Sequence, residues 1–131
     1  MLQALAQDVP TDAQVALLLG FALRLEQRLG EADQVFSSAL ASGVAEPGII
    51  FGQAQTRYEL GHPSAALFAA AQQAMPSNPE VVRNRAAAMA SEGDPDGADA
   101  LLDAVLARQP GWLDGHKGLA TLRWTRRDNA N

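Results

Sequence analysis

The amino-acid sequence predicts an all-α protein in which antiparallel helical hairpins stack into a solenoid. Small residues recur about every 34 residues in two series, and in both series the second step is two residues shorter than the first. The two series are Gly20, Ala54, Ala86 and Ala120, and Ala32, Ala66 and Ala98. Pro10 and Pro110 are likewise two residues closer together than three full units would place them. A period of this length is typical of stacked helical units, which build a binding surface rather than a catalytic core.

The composition agrees with this fold class and excludes several functions. Hydrophobic residues make up 47% of the 131 residues and aromatic residues only 5%, so the core must use Ala, Leu and Val in close helix contacts. A formal charge of −5 disfavours binding to nucleic acid or to an anionic membrane surface. The absence of cysteine excludes disulfides and thiolate metal sites. Because no apolar run reaches the ~18 residues of a membrane span, and no signal peptide is recognisable, we expect a cytoplasmic protein.

Helix start and stop signals divide the chain into seven predicted helices. Asn78-Pro79 and Asp94-Pro95 each place a capping residue before a proline at the first helical position, and His62-Pro63 is a weaker form of this signal. Three glycines lie where one helix ends and its partner begins, the usual place of a left-handed C-cap. These glycines are Gly30, Gly61 and Gly93. The predicted helices are 13–28, 31–42, 48–60, 63–75, 79–91, 95–108 and 112–126. The short connections predict antiparallel neighbours.

Apolar residues follow a helical period within these segments. The predicted apolar face of the first helix consists of Val15, Leu18, Leu19, Ala22 and Leu25. The faces predicted on two later helices are Val35, Phe36, Ala39 and Leu40, and Leu101, Leu102, Val105 and Leu106. Stripes of this kind are expected to face a neighbouring helix.

In register with these signals, the unit 79–112 resembles a tetratricopeptide repeat (TPR). Its residues at the family's small, glycine, alanine, large apolar and proline positions are Ala86, Gly93, Ala98, Leu102, Val105 and Pro110. The unit 13–46 matches less closely, because Gln27 stands at the glycine position. The resemblance implies a TPR-like right-handed solenoid of antiparallel helix hairpins, with its first helices on the inner, concave face.

The second unit, 47–78, is the shortened one. It carries Ala54, Gly61, Ala66 and Ala70, but Gln73 stands where the family has alanine. We therefore place the two-residue shortening near 73–78.

The two ends of the chain resemble incomplete units. We interpret 1–12 as a partial unit and 113–131 as a terminal helix, so that the sequence resembles a fragment of a longer TPR-containing protein. Apolar residues near both ends would then lack their usual cover and could support a homodimer. These residues are Leu2, Leu5, Leu119 and Leu122.

Residues that could perform chemistry do not form a recognisable motif. The two histidines, His62 and His116, lie far apart in the sequence and outside any metal-ligand spacing. The acidic stretch 94–103 lacks the glycine and the glutamate of a calcium loop. We therefore predict a non-enzymatic chain without metal or cofactor.

The TPR resemblance implies a set of partner-binding residues on the concave face. The members that we select are Leu17, Phe21, Arg24, Phe51, Gln55, Tyr58, Arg83, Lys117 and Trp124. Exposed aromatic side chains are frequent anchors for a bound peptide, although the same side chains could fill the core between units. The family's clamp for acidic C-terminal tails is disfavoured, because the asparagines that it uses are absent.

Two functions remain open at this stage. The first is a protein–protein interaction or scaffold module that binds a peptide or a partner protein on its concave face. The second is a non-catalytic targeting or regulatory segment of a larger bacterial enzyme. The stretch 110–124 resembles segments that precede sulfotransferase or 2-oxoglutarate/iron oxygenase domains.

Overall fold

The computed structural model describes residues 13–43 and 46–130, with side chains as far as residue 125. Within these residues the chain forms seven α-helices and no β-strand, which confirms the predicted all-α class. The helices are α1 (Ala13–Leu25), α2 (Leu29–Ala41), α3 (Pro47–Glu59), α4 (Ala65–Ala74), α5 (Pro79–Ser91), α6 (Pro95–Arg108) and α7 (Leu113–Ala130). They form three hairpins, α1–α2, α3–α4 and α5–α6, which are followed by α7. We refer to α1, α3, α5 and α7 as the first helices and to α2, α4 and α6 as the second helices.

Capping residues define where three of the helices begin. The side chain of Asn78 accepts a hydrogen bond from the backbone N–H of Glu80 at 3.0 Å, and Asp94 accepts one from Gly97 at 2.9 Å. Glu46 does the same for Gly48 at 3.3 Å. In each case a proline follows the cap, where its missing N–H costs no helical hydrogen bond. The predicted starts of α5 and α6 are therefore confirmed.

Left-handed residues end the first helix of each hairpin. Gly61 and Gly93 have φ values of 80° and 92°, which a residue without a Cβ adopts at little cost. In the first hairpin Gln27 takes this role with a φ of 61°. The prediction that Gly30 is a C-cap is wrong, because Gly30 lies in the first turn of α2.

The helices pack as a stacked array. Each helix contacts the next one along the chain, and the first helices also contact one another in succession. The buried ring of Phe36 joins the first two hairpins, because its tip lies between Gly20 of α1 and Gly52 of α3. A Cβ atom built on Gly20 would lie only 2.3 Å from Cζ of that ring. The absence of these two side chains thus allows two first helices to approach one phenylalanine.

The two-residue shortening lies in the turn between α3 and α4. Along the left-handed residues Gln27, Gly61 and Gly93, the second step is two residues shorter than the first. Along the buried positions of the second helices, the first step is instead the shorter one. These positions are Ala32, Phe36 and Ala39 in the first hairpin, Ser64, Phe68 and Ala71 in the second, and Ala98, Leu102 and Val105 in the third. The long and short steps are thus in opposite order before and after this turn. The two missing residues therefore lie between the end of α3 and the start of α4.

The predicted shortening near 73–78 is therefore wrong. Ala66 and Ala70, which that register placed in the core, are exposed. Ser64 occupies the corresponding buried position, with 2% of its surface accessible. Alanine is so frequent in this chain that both registers place alanines at several of the expected positions, and the sequence pattern cannot distinguish them.

The turn between α3 and α4 receives its cap from another hairpin. The side chain of Ser64 forms no capping hydrogen bond. Instead, Oε2 of Glu92 accepts hydrogen bonds from the backbone N–H groups of Ser64 and Ala65 at 2.9 and 2.8 Å. A carboxylate at this position satisfies two unpaired donors and is favoured by the helix dipole.

Four leucines lie on different surfaces from those predicted. Leu18 and Leu25, expected on the core face of α1, are 61% and 85% exposed. Leu119, expected to be uncovered, is only 7% exposed, and Leu122 packs against the same core cluster. The reason is that α7 lays its own apolar stripe on the third hairpin. Two hydrogen bonds of 2.9 Å from Arg123 to Asp99 reinforce that contact.

The expectations about the N-terminal unit fall outside the described residues. They concern the partial unit 1–12 and its residues Leu2, Leu5 and Pro10. At the other end of the array, Ala120 is exposed on α7, whereas its counterpart Ala86 is buried against α6. No described helix combines the length and the apolar character that crossing a membrane requires.

Candidate partner-binding surface

A groove lies along the first helices α3, α5 and α7. Its volume is about 890 Å³, which is within the usual range for ligand sites in proteins. The lining residues are Tyr58, Arg83, Asn84, Ala86, Ala87, Ala90, Ser91, Leu102, Asp114, Lys117, Gly118, Thr121, Leu122 and Thr125. Most of them lie on first helices, which is where the TPR resemblance placed the concave face.

The floor of the groove is made of small and apolar residues. Ala87 and Ala90 lie on α5, and Gly118 on α7 exposes the backbone next to Leu102 of α6. Small side chains on two adjacent helices leave the space between the helix axes open. The groove therefore results from the residue sizes on α5 and α7.

Polar groups of both charges surround this floor. Arg83 forms an ion pair with Glu80 one turn earlier, at 2.8 Å. The hydrogen bond from Arg83 to Glu80 raises the pKa of the Arg83 guanidinium above its usual value, and the charge of Asp114 acts in the same direction. Lys117 is exposed on the facing side. The rim thus presents two cations and one carboxylate, and Arg83 is held in place by its own helix.

Tyr58 is the aromatic residue of the groove. Tyr58 lies near the end of α3 and is 40% exposed, so part of its side chain is accessible to a partner in the groove. Tyrosine offers both an apolar face and a hydroxyl, a combination that is frequent at protein interfaces.

Two of the predicted aromatic anchors are part of the packing between helices. Phe21 is half-buried, with its ring in an edge-to-face contact with Phe36 at 5.8 Å between centroids. Phe51 makes a similar edge-to-face contact with Phe68, with 6.0 Å between the ring centroids. Sequence analysis left binding and packing open for these residues, and the contacts give both rings a packing role.

Arg24 and Gln55 meet at the junction of the first two hairpins. Nη1 of Arg24 donates a hydrogen bond to Oε1 of Gln55 at 3.1 Å, and Arg24 also forms an ion pair with Glu59. Its guanidinium lies 5.5 Å from the centroid of the Phe21 ring. Only 18% of the Arg24 side chain is exposed. These groups therefore pair with one another within the array.

The remaining two predicted residues lie apart from the groove. Leu17 packs against Gly48 of α3, because a Cβ atom built on Gly48 would lie 3.2 Å from Cδ1 of Leu17. Trp124 is 63% exposed on α7 but does not line the groove. Of the nine selected residues, the structure therefore brings Tyr58, Arg83 and Lys117 together.

Sequence reasoning missed several lining residues. Asn84, Gly118 and Leu122 fall outside the family's concave-face positions, and Leu102 was assigned to the core alone. Asn84 directly follows Arg83, and Gly118 directly follows Lys117. The groove therefore includes part of α5 and of α7 next to the predicted concave-face positions.

The histidines and the acidic stretch have structural surroundings. Nε2 of His116 lies 2.7 Å from the carbonyl oxygen of Pro110, and His62 lies exposed after the α3 turn. Asp94 caps α6, and Asp99 pairs with Arg123. In the part of the chain that the structure describes, no group of three or more metal-ligating side chains converges.

Solved structures of two proteins resemble this one over most of its length. A tetratricopeptide repeat protein from Parabacteroides merdae has a TM-score of 0.81 and 20% sequence identity, and the match covers 97% of this chain and 52% of that one. MamA AMB-1 has a TM-score of 0.73 and 20% identity, over 91% of this chain and 72% of that one.

The chain therefore spans about half the length of the first of these proteins. No protein-family model matches the sequence, and no curated protein matches it. At this level of identity the similarity concerns the fold. Together with the stacked hairpins and the successive contacts between first helices, it shows that the protein has the all-α, TPR-like fold that its repeat pattern predicts.

Proposed function

We propose that the protein is a protein–protein interaction module and that its partner binds in the groove along α3, α5 and α7. The observation that carries this proposal is the combination of an open apolar floor, one exposed aromatic residue and a charged rim in one groove of about 890 Å³. Sites with these properties bind other molecules more often than flat polar surfaces do.

The floor favours a partner segment with compact apolar side chains. Ala87, Ala90 and Gly118 leave room for such side chains close to the helix backbones. Tyr58 lies at one end of this floor, where its ring would cover an apolar side chain of the partner. Truncating an anchor of this kind usually costs ~2 kcal/mol or more of binding free energy.

The rim is suited to orient the partner. Arg83 and Lys117 offer cations, and Asp114 offers a carboxylate. Because these groups are exposed, we expect them to govern the association rate and its salt dependence more than the final affinity. Replacing Lys117 with glutamine should therefore slow association, with a smaller effect on dissociation.

A bulky residue in the floor provides the direct test. Ala87 is exposed on α5, so that Ala87→Trp fills the groove without entering the core. The matched control is Ala104→Trp, the same substitution at an exposed site of α6 that does not line the groove. Both variants should match the parent in circular dichroism and in melting temperature to within a few degrees.

The readout is quantitative affinity capture from the native cell extract, followed by titration calorimetry with the captured protein. We expect a partner that binds the parent and Ala104→Trp but is lost with Ala87→Trp and weakened with Tyr58→Ala. Identical capture by the parent and Ala87→Trp, with both proteins folded, would remove the groove as the binding site.

A further inference from the structure

Two large apolar side chains are exposed at opposite ends of the described array. Leu25 lies at the end of α1 and is 85% exposed, and Trp124 lies on α7 and is 63% exposed. Burying an exposed side chain of this size against a partner removes apolar surface from water and is favourable.

Trp124 and Leu25 stand at the same positions of the repeat as Arg24 and Glu59, which form an ion pair inside the array. The carbonyl oxygens of Arg24, Tyr58 and Ala90 each accept the hydrogen bond from the left-handed residue that ends a first helix. Counted from the first residues of α3, α5 and α7, the residues Tyr58, Ala90 and Trp124 stand at the same position. Trp124 is thus the counterpart of Arg24. By the same alignment, Leu25 is the counterpart of Glu59.

Counterparts of this pair are in contact inside the array. Arg24 of the first hairpin forms an ion pair with Glu59 of the second, and it also donates a hydrogen bond to Gln55. The same alignment makes Gln55 the counterpart of Phe21. At the junction of the first two hairpins these places are therefore charged or polar. At one end of the described array, Trp124 stands at the position of Arg24. At the other end, Leu25 and Phe21 stand at the positions of Glu59 and Gln55.

We propose that a second copy of this chain docks head to tail, with its α1 packed on α7 of the first copy as α3 packs on α1. In this arrangement Trp124 of one copy covers Leu25 and Phe21 of the next. An apolar contact replaces the ion pair of the internal junction. Because the two surfaces differ, the contact is heterologous and extends to rings or filaments rather than closing as a two-fold dimer.

The absence of cysteine allows this geometry to be tested by cross-linking. The single variants Leu25→Cys and Trp124→Cys, carrying tags of different size, are mixed in equal amounts and treated with a bis-maleimide. We expect cross-linked pairs that join position 25 of one variant to position 124 of the other. Ala104→Cys, which places a thiol on the exposed side of α6, measures random collision.

Two results would overturn the proposal. Preferential linkage of Trp124→Cys to itself would indicate a two-fold contact between α7 helices. Linkage no more frequent than with Ala104→Cys, or a parent that sediments as a monomer up to its solubility limit, would indicate that no such contact forms. Circular dichroism of each variant separates loss of contact from loss of fold.

Sedimentation of charge variants gives an independent measurement. Leu25→Glu or Trp124→Arg alone should weaken self-association about tenfold or more, the usual result of removing an apolar anchor. The double variant re-creates the pair found between Arg24 and Glu59. It should recover association at low salt and lose it again at high salt. Unchanged association of Leu25→Glu would refute the assignment of α1 to the interface.

This inference does not depend on the groove. Ala87→Trp should self-associate like the parent, because Ala87 lies on α5 and the proposed contact joins α1 and α7. Loss of the captured partner without a change in sedimentation would therefore concern the proposed function alone.

Discussion

Replacing Gly20 with alanine sets helix propensity against packing, and the structure decides which effect is larger. In a helix interior, Gly→Ala normally gains up to about 1 kcal/mol, because alanine loses less backbone entropy on folding. At Gly20, however, the new Cβ would lie 2.3 Å from two ring atoms of Phe36. Favourable carbon–carbon contacts lie at roughly 3.5–4.0 Å, so the ring tip would have to move by more than about 1 Å.

The ring has little room for that movement. Its tip also faces Gly52, where a Cβ would lie 2.7 Å away, and its edge contacts Phe21. Overpacking in a filled core costs typically ~1–3 kcal/mol, and this site belongs to the upper part of that range because both sides are closed. After the propensity gain, we expect Gly20→Ala to lose about 1–2 kcal/mol of stability.

The matched control is Gly30→Ala. Gly30 lies in the first turn of α2, and no atom lies within 4 Å of its Cβ position. The same substitution should therefore be neutral or stabilising by up to about 1 kcal/mol. For a domain of this size, 1 kcal/mol corresponds to about 3–5 °C in melting temperature, which thermal unfolding followed by circular dichroism resolves.

A Gly20→Ala variant that melts at or above the parent temperature would refute the packing argument. The double variant Gly20→Ala/Phe36→Leu adds a second check. Because leucine is shorter than the phenylalanine ring, the added methyl group should cost less in this background than in the parent. Additive effects of the two substitutions would mean that they do not share the same space.

Further predictions concern the caps, the core and the surface of the array. Glu92→Ala should cost ~0.5–2 kcal/mol, because the N–H groups at Ser64 lose their acceptor; protected amides at that site in hydrogen exchange would contradict this. Leu102→Ala should cost ~2–5 kcal/mol by opening a cavity in the third hairpin, and denaturation by urea measures it. Ala98→Leu should overpack the same core by ~1–3 kcal/mol; if it melts with the parent, Ala98 is not at a close crossing. Arg123→Gln should leave the melting temperature nearly unchanged despite its bonds to Asp99, since the Arg123 side chain is 54% exposed; a clear loss in the melting temperature would show that the pair anchors α7.

Sequence reasoning succeeded where the signal was local. The dipeptides Asn78-Pro79 and Asp94-Pro95 place the starts of α5 and α6 correctly, because a cap and a proline act within one helical turn. The fold class follows from the period of the small residues. The caps act within one hairpin and the period is visible along the sequence, so neither signal requires knowledge of which helices are in contact.

The errors arose where distant residues decide the structure. Leu25 continues the apolar stripe of α1, but no described helix covers it, and it is exposed. The start of α4 was assigned to Pro63, whereas Glu92 from the third hairpin caps the helix at Ser64. No local pattern shows that a carboxylate 28 residues away takes the place of a serine cap.

The candidate binding surface was only partly predictable from the sequence. Tyr58, Arg83 and Lys117 were selected by their positions on first helices, and they line one groove. Phe21 and Phe51 were selected on the same grounds, yet their rings contact Phe36 and Phe68. Position on a helix specifies the side on which a residue lies, and the sizes of its neighbours determine how much of it reaches solvent.

The cap that Glu92 provides links the folding of two hairpins. With 10 residues, α4 is too short to be stable as an isolated helix. Its first turn is completed by a carboxylate of the third hairpin, so α4 gains its full stability only after that hairpin has docked. In an array where each unit contacts only its neighbours, such a bond adds to the nearest-neighbour coupling. We therefore expect the second and third hairpins to unfold together rather than to separate at the turn before α5.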